Sequence, residues 1–184
     1  EMVKLKMVKK EENKELLITF PDGKTTEFNE GIRGIEIAGS ISKSLEKKSI
    51  AIKVNGEYRD LSDKITCDAK IEIITIESEK GLEIMRHTLT AQVLAKAIKN
   101  LYPESKLAIG PTIDNGFYYD VLLEKPISNE DLPKIEKEMK KIVSVGNKIK
   151  KTYVNKEEAL KLFADKKEFY KVDIIKESKQ EDNF

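Results

Sequence analysis

Residues 109–120 read IGPTIDNGFYYD, and this stretch carries the strongest structural signal in the chain. Two glycines, a proline and an Asn115-Gly116 pair interrupt the backbone immediately before three adjacent aromatic residues. An ordinary hairpin needs the Asn-Gly pair but not the aromatic run FYY beside it. Such a run is typical of a pocket wall, where the rings provide contact area and the hydroxyl groups provide hydrogen bonds.

The composition sets the domain count and limits the partners that charge can indicate. The length of 184 residues suits one large or two small domains. Hydrophobic residues make up 39% of the chain, which is enough for a core, and charged residues make up 36%. The 34 Lys and Arg nearly balance the 33 Asp and Glu, so the overall charge indicates no partner. Contact with a nucleic acid must then come from a local patch.

The cysteine content and the apolar runs indicate the compartment. The single cysteine, Cys67, excludes an internal disulfide and favours a reducing environment. No apolar run approaches the roughly 18 residues of a transmembrane helix. The charged lead-in at residues 1–15 has no apolar core of a signal peptide. The sequence therefore predicts a cytoplasmic protein with no membrane partner.

Residues 16–77 carry the pattern of a small β-grasp (ubiquitin-like) domain, in which one helix lies across a mixed sheet. The segment PDGK at 21–24 predicts a turn between two strands, and Asn55-Gly56 predicts a hairpin. The predicted elements are strands at 16–20, 25–28, 50–54, 58–61 and 71–76 and one helix over 35–48.

Residues 78–184 form a second predicted domain, after a short charged linker at 77–80. Its long helix is expected to pack on an antiparallel sheet, which makes the fold class α+β. Ser128 is expected to cap a helix that ends at Gly146, and Asn155 with Glu158 predicts a capping box. The predicted elements are helices over 82–101 and 157–163 and strands at 106–109, 116–122, 149–154 and 169–175.

The motifs together resemble a known family. The first domain resembles a TGS domain. The pair Arg86-His87, the stretch 109–120 and the triplet YKV at 170–172 resemble the N-terminal half of threonyl-tRNA synthetases. The resemblance covers residues 16–175 and implies a TGS domain followed by an incomplete editing domain of the threonyl/alanyl-tRNA synthetase type. In this family the full enzyme attaches threonine to its tRNA using ATP, and the editing domain hydrolyses mis-charged seryl-tRNA.

The resemblance also implies partners and cofactors. The expected partner is the threonine-accepting tRNA, and no DNA partner is expected. ATP, magnesium and zinc belong to the family's aminoacylation core, which these residues do not match, so no cofactor and no metal site are expected here. This chain is expected to be a monomer and the full enzyme a homodimer. The polar residues 176–184 are expected to continue into a longer protein. Lysines at 140–141 and 148–151 are candidates for contact with RNA phosphates.

His87 is the only histidine, and the long helix is predicted to carry it. Without the resemblance, an imidazole at a helix surface or partly in the core is the simpler interpretation. The resemblance implies a His-x-x-x-His pattern in this helix, a spacing that points two imidazoles into one cleft. In this chain Ala91 stands at the fourth position after His87, and the best match places Gln92, the fifth, where the second histidine belongs. In a regular α-helix the fifth residue lies roughly 140° around the axis, and a π-bulge would absorb the extra residue.

Two further positions match the family's editing pocket. The resemblance implies that Tyr119 binds the terminal adenosine or the aminoacyl group. It also implies that Lys171 acts with His87 in catalysis, as a cation for a phosphate or a developing oxyanion. Gln92 is the second candidate for substrate binding. The residue types alone also fit a half-buried strand tyrosine and a solvated lysine.

Two departures from the family pattern lower the expected editing activity. Glutamine at 92 cannot act as a general base near neutral pH. The family's Cys-x-x-x-His segment does not follow the YKV triplet, and Cys67 lies in the other domain. Editing is therefore expected to be weak or lost. Two other functions remain open: a non-catalytic RNA-binding or interaction module, and a free-standing trans-editing protein.

Overall fold

The computed structural model describes residues 14–184, so residues 1–13 of the predicted lead-in lie outside the described part. The chain divides into two compact units, the first ending at Ile84 and the second covering residues 85–184. The first unit is a five-stranded sheet with two short helices, and the second combines helices with short strand pairs. The α+β class is confirmed.

The first unit has the β-grasp arrangement. Its elements are β1 (Glu15–Thr19), β2 (Thr25–Asn29), α1 (Gly34–Ile41), α2 (Lys43–Lys48), β3 (Ser49–Val54), β4 (Glu57–Arg59) and β5 (Ala69–Thr75). The strand order is β2-β1-β5-β3-β4. The β1 and β5 strands run parallel, and the other neighbours run antiparallel, which gives the predicted mixed sheet.

Both predicted turns form, each with the expected chemistry. In the first, Gly23 takes a φ of 83° and the Asp22 carboxylate accepts the backbone N–H of Lys24 at 3.1 Å. In the second, Asn55 and Gly56 have φ values of 50° and 93°, the positive pair that a two-residue hairpin requires.

The helix predicted over 35–48 is broken in two, and Ser42 is the reason. Its backbone is extended, with φ −166° and ψ 153°, so α1 ends there. The Ser42 hydroxyl then accepts the backbone N–H of Leu45 at 3.0 Å and caps α2. The prediction of a single helix was therefore wrong, because the Ser42 side chain competes for a backbone hydrogen bond and starts a second helix.

The core of the first unit lies between the sheet and α1. Two residues of β1 and two of β3, spaced two apart on each strand, are buried in this core, as the period of a strand requires. Gly34 permits the close approach of α1, since a Cβ there would lie 2.6 Å from Cγ2 of Ile52. The buried cluster comprises Leu16, Ile18, Ile37, Ile52, Val54, Ile65, Ala69 and Ile71.

The second unit is built around a long helix with an irregular centre. This helix comprises α3 (Glu79–Thr88), whose first six residues belong to the first unit, a π segment (Leu89–Leu94) and α4 (Ala95–Leu101). The remaining elements are β6 (Lys106–Leu107), β7 (Thr112–Ile113), β8 (Gly116–Phe117), β9 (Val121–Leu122), α5 (Leu132–Val145), α6 (Lys156–Asp165) and α7 (Phe169–Glu177). The strands form two antiparallel pairs, β6 with β9 and β7 with β8. A buried cluster of Ala95, Ile98, Leu107 and Ile135 joins α4, β6 and α5.

Several local predictions for this unit were wrong. Residues 169–175 form the helix α7, whose buried Val172 and Ile175 are three residues apart, as on one helical face. Residues 149–154 form no strand, and the strand expected at 116–122 is divided into β8 and β9. The linker expected at 77–80 overlaps the start of α3.

The ends of two helices test the capping predictions. The helix α5 begins after Asp131, and Ser128 donates its hydroxyl to the Asp131 carboxylate at 2.8 Å rather than capping the helix. The predicted end at Gly146 is confirmed, with a left-handed φ of 64°. The capping box of Asn155 and Glu158 at the start of α6 is also confirmed.

Candidate functional site

The π segment, Leu89–Leu94, begins two residues after His87 and contains Gln92. The backbone N–H of Ala95 donates to the carbonyl of Thr90, five residues earlier. The Thr90 hydroxyl is buried and donates to the carbonyl of Arg86 at 2.8 Å. A π segment has more residues per turn than an α-helix, so each residue rotates less around the axis. The angle between His87 and Gln92 is therefore smaller than the roughly 140° of a regular α-helix. The structure thus contains a π-bulge, the device that can absorb the extra residue after His87.

His87 and Gln92 both have exposed side chains on this helix. His87 lies in the last turn of α3, and Gln92 lies inside the π segment, next to the exposed Ala91. An exposed imidazole is available to solvent water and to a ligand, whereas an exposed amide can orient a polar group without taking its proton.

Arg86 connects the helix to the stretch that opened the sequence analysis. Its guanidinium donates to the backbone carbonyl of Asp114 at 2.6 Å. Asp114 lies in the turn between β7 and β8, where Ile113 pairs with Gly116. A charged donor therefore holds the glycine-rich turn against the helix that carries His87.

Gly110 allows the ring of Tyr119 to lie against the π segment. A Cβ at Gly110 would lie 2.4 Å from Cδ2 of Tyr119 and 2.8 Å from Cγ2 of Thr90, so only glycine fits between them. Two backbone hydrogen bonds hold the surrounding chain in place. The N–H of Ala108 donates to the carbonyl of Asp120 at 3.0 Å, and the N–H of Asp120 donates to the carbonyl of Ile109 at 2.8 Å. Tyr119 thereby packs against the buried cluster of this unit.

The protonation of Tyr119 follows from its surroundings. Burial raises the pKa of the Tyr119 hydroxyl above its ordinary value of 10.0, and the nearby charge of Glu168 raises this pKa further. The hydroxyl is therefore neutral at physiological pH, where it can both donate and accept a hydrogen bond.

Lys171 is the third residue of α7 and lies in the first turn of that helix. Its ammonium group lies 5.4 Å from the centre of the Phe163 ring, within the range of a cation–π contact. Its backbone N–H donates to the carbonyl of Glu168 at 3.1 Å. The position of Lys171 is thus set by a helix, whereas the sequence had predicted a strand.

Glu168 is the residue of this region that sequence reasoning missed. Its carboxylate is buried and lies 2.9 Å from the ammonium of Lys99 on α4. The same ammonium donates to the backbone carbonyl of Ser105 at 2.9 Å. No motif links these positions, because Lys99 and Glu168 are far apart in sequence and their residue types are common at the surface.

The described residues, 14–184, contain no group of three or more His, Cys, Asp or Glu side chains able to hold a metal ion. Cys67 is exposed, in the first unit. In the same range, no helix combines the length and the apolar character needed to cross a membrane.

Comparison with known proteins shows what the two units are similar to. Residues 17–75 match the TGS domain family. A threonine–tRNA ligase of Sinorhizobium fredii is 48% identical over 158 residues, which cover 86% of this chain and 24% of that protein. One from Acetivibrio thermocellus is 48% identical over 160 residues, 87% of this chain and 25% of the relative. Threonine–tRNA ligase 2 of Bacillus subtilis is 48% identical over 165 residues, 90% of this chain and 26% of the relative.

The chain therefore spans about a quarter of the length of these curated relatives. An alignment of 158 residues cannot be contained in residues 1–84, so the similarity extends well into the second unit. The chain contains a TGS domain and is similar, over both units, to the N-terminal region of the threonine–tRNA ligases.

Proposed function

We propose that this chain is the tRNA-docking and proofreading part of a threonine–tRNA ligase, and that its own proofreading is slow. The complete ligase would attach threonine to its tRNA using ATP, and the present residues would act on serine attached in error. The observation that carries this proposal is the 48% identity over 86% of the chain, because it includes the unit that holds His87, Gln92, Tyr119 and Lys171.

The proposed reaction is hydrolysis of the ester between serine and the terminal ribose. Water attacks the carbonyl carbon, an oxyanion develops on the carbonyl oxygen, and the ribose oxygen leaves with a proton. The exposed His87 would orient the attacking water or the ribose hydroxyl. Tyr119, neutral and held by Gly110, would bind the adenosine or the aminoacyl group. The Lys171 cation would stabilise the oxyanion or contact a phosphate.

Selectivity in such a site would come from excluding the methyl group that distinguishes threonine from serine. Binding alone discriminates a missing methylene by only about 1–3 kcal/mol, which is too little for accurate translation. A second site that is too small for threonine but admits serine corrects this deficit.

Slow hydrolysis is expected because the second imidazole of the family pattern is replaced. The amide of Gln92 and the methyl of Ala91 both lie on the exposed helix surface, and neither accepts a proton near neutral pH. General-base assistance typically contributes about 10²–10⁴-fold in rate, so its loss leaves mostly positioning and electrostatic effects.

The test is the release of serine from seryl-tRNA by the purified chain, with threonyl-tRNA as the substrate control. We expect a rate only slightly above that in buffer, and none above buffer for threonyl-tRNA. The His87→Ala variant should remove the excess rate while tRNA affinity stays within about twofold. Rapid serine release by the native chain would refute slow proofreading.

A second candidate function is docking of tRNA without catalysis, and the surface around α6 and α7 favours it. Lysine ammonium groups lie over exposed or half-buried rings there: Lys106 over Phe169 at 5.5 Å and Lys166 over Phe163 at 5.9 Å. Cations beside aromatic faces suit a nucleic-acid backbone with unstacked bases. In this case tRNA affinity would fall steeply with salt, and no variant at His87 would change the rate of serine release.

A further inference from the structure

The carboxylate of Glu168 occupies an unusual position for a glutamate. It is 6% exposed, directly precedes α7, and forms its ion pair with Lys99 at 2.9 Å through Oε1. Within residues 14–184, its Oε2 atom is buried and has no hydrogen-bond partner, and the same holds for the hydroxyl of Ser105. A charged group held this way costs free energy, so stability alone gives no reason for it.

Glu168 is linked to three segments of the second unit, through its carboxylate or through its backbone carbonyl. Lys99 lies on α4, which continues the helix of His87 and Gln92. Burial, and to a smaller extent the charge of Glu168, raises the pKa of the Tyr119 hydroxyl. Lys171 lies on α7, and its backbone N–H donates to the Glu168 carbonyl at 3.1 Å.

The ammonium of Lys99 bridges two segments of the second unit. It binds Glu168 on one side and the Ser105 carbonyl, at 2.9 Å, on the other. Ser105 immediately precedes β6, which pairs with β9 after the stretch that contains Tyr119. One ion pair therefore connects α7, α4 and the strand pair that flanks the aromatic stretch.

We propose that Glu168 is a positioning residue, which holds Lys171 and Tyr119 in the arrangement that binds the serine-bearing end of the tRNA. The proposal rests on the proposed function, since it concerns the same site. Glu168 does not touch the substrate and acts through Lys99 and α7. A displacement of about 1 Å in such a group can cost on the order of a hundredfold in function.

The variants that test it separate the charge from the packing. Glu168→Gln keeps the size of the side chain and removes its charge, and Lys99→Met removes the partner. The control is Val172→Ala, which removes buried apolar volume from the same helix and leaves the ion pair intact. Variants are compared at temperatures that give equal free energies of unfolding.

The first measurement is the affinity of the full chain for tRNA that carries serine through a non-hydrolysable amide, divided by its affinity for uncharged tRNA. We expect Glu168→Gln and Lys99→Met each to lower this ratio by roughly tenfold. The double variant should be no worse than either single variant, because the two residues act as one unit. Val172→Ala should preserve the ratio. Equal losses in Glu168→Gln and Val172→Ala, or no loss in Glu168→Gln, would overturn the proposal.

The second measurement does not depend on tRNA. Hydrogen exchange at the amides of Lys171 and Val172 should accelerate in Glu168→Gln more than in Val172→Ala, and the pKa of Tyr119, followed by NMR, should fall only in the former. If the native chain does not prefer the serine-bearing tRNA, the proposed function fails at this site. The positioning role is then supported by accelerated exchange together with the lowered pKa, and is overturned if either is absent.

Discussion

The two units of this chain are ordered by different means. The first has a five-stranded sheet with a continuous apolar core, and its turns follow from local residue types. The second has strand pairs only two residues long, and it depends on a π segment, a close approach at Gly110 and an ion pair whose carboxylate is buried. Regular apolar packing makes a stable scaffold, whereas the irregular and polar features gather where candidate site residues lie.

The largest effect that this comparison predicts is the loss of a core side chain in the first unit. Ile52 is fully buried between the sheet and α1, so Ile52→Ala should lower the free energy of unfolding by about 2–5 kcal/mol. Urea unfolding monitored by NMR signals from each unit would measure it. Ile41→Ala, at an exposed position, should change stability by less than about 0.5 kcal/mol. Similar losses for both variants would contradict the packed core.

The second effect tests whether a glycine defines the geometry of the second unit. Gly110→Ala would place a methyl group against Tyr119 and Thr90, and we expect a loss of about 1–3 kcal/mol. Gly116→Ala is the matched control, because a Cβ there meets no atom within 4 Å. Equal stability of the two variants would show that the Tyr119 ring can move aside.

The third effect concerns the extra residue in the helix. Deleting Ala91 should convert the π segment into regular α-helix, and a histidine introduced at Gln92 would then lie four residues after His87. Combining the deletion with Gln92→His should raise serine release from seryl-tRNA at least tenfold, toward the range of general-base assistance of about 10²–10⁴. The substitution Ala91→His without the deletion serves as the comparison. No gain in the combined variant would mean that the lack of a second imidazole does not limit the rate of serine release.

The smallest effect is a pH dependence in the second unit. Because the pKa of Tyr119 is raised by burial and by Glu168, the folded state favours the neutral hydroxyl. Its contribution is complete below the unfolded pKa of about 10, and it is lost as the pH rises through the folded pKa. As the pH rises above about 9, Tyr119→Phe should therefore lose less stability than the native chain. Stability is measured as the midpoint of urea unfolding at each pH. Parallel curves for the two proteins would contradict the cause assigned to this shift.

Sequence patterns predicted the first unit well because its structure is determined locally. Alternating apolar residues gave the strands, and Gly23 and the Asn55-Gly56 pair gave the turns. The break at Ser42 escaped prediction, since a serine inside an apolar helical period fits either a continued helix or a new cap.

The second unit was predicted less well because its deciding contacts are distant in sequence. Residues 169–175 contain apolar residues that suit a strand or a helix, and only the burial of Val172 and Ile175 together decides for the helix. The extra residue after His87 was compatible with a π segment, but the sequence did not decide between that and a regular helix. The pairing of Lys99 with Glu168 had no local signal, and surface lysines and glutamates are too common to suggest it.

The π segment also separates an exposed part of the long helix from the part that packs in the core. By taking up one additional residue within a single turn, it leaves Ala95 and Ile98 facing the buried cluster in their regular spacing. A change in length on the exposed side therefore does not propagate into the packing beyond it. Mutation or natural variation at the exposed Ala91 and Gln92 therefore leaves the buried contacts of Ala95 and Ile98 in place.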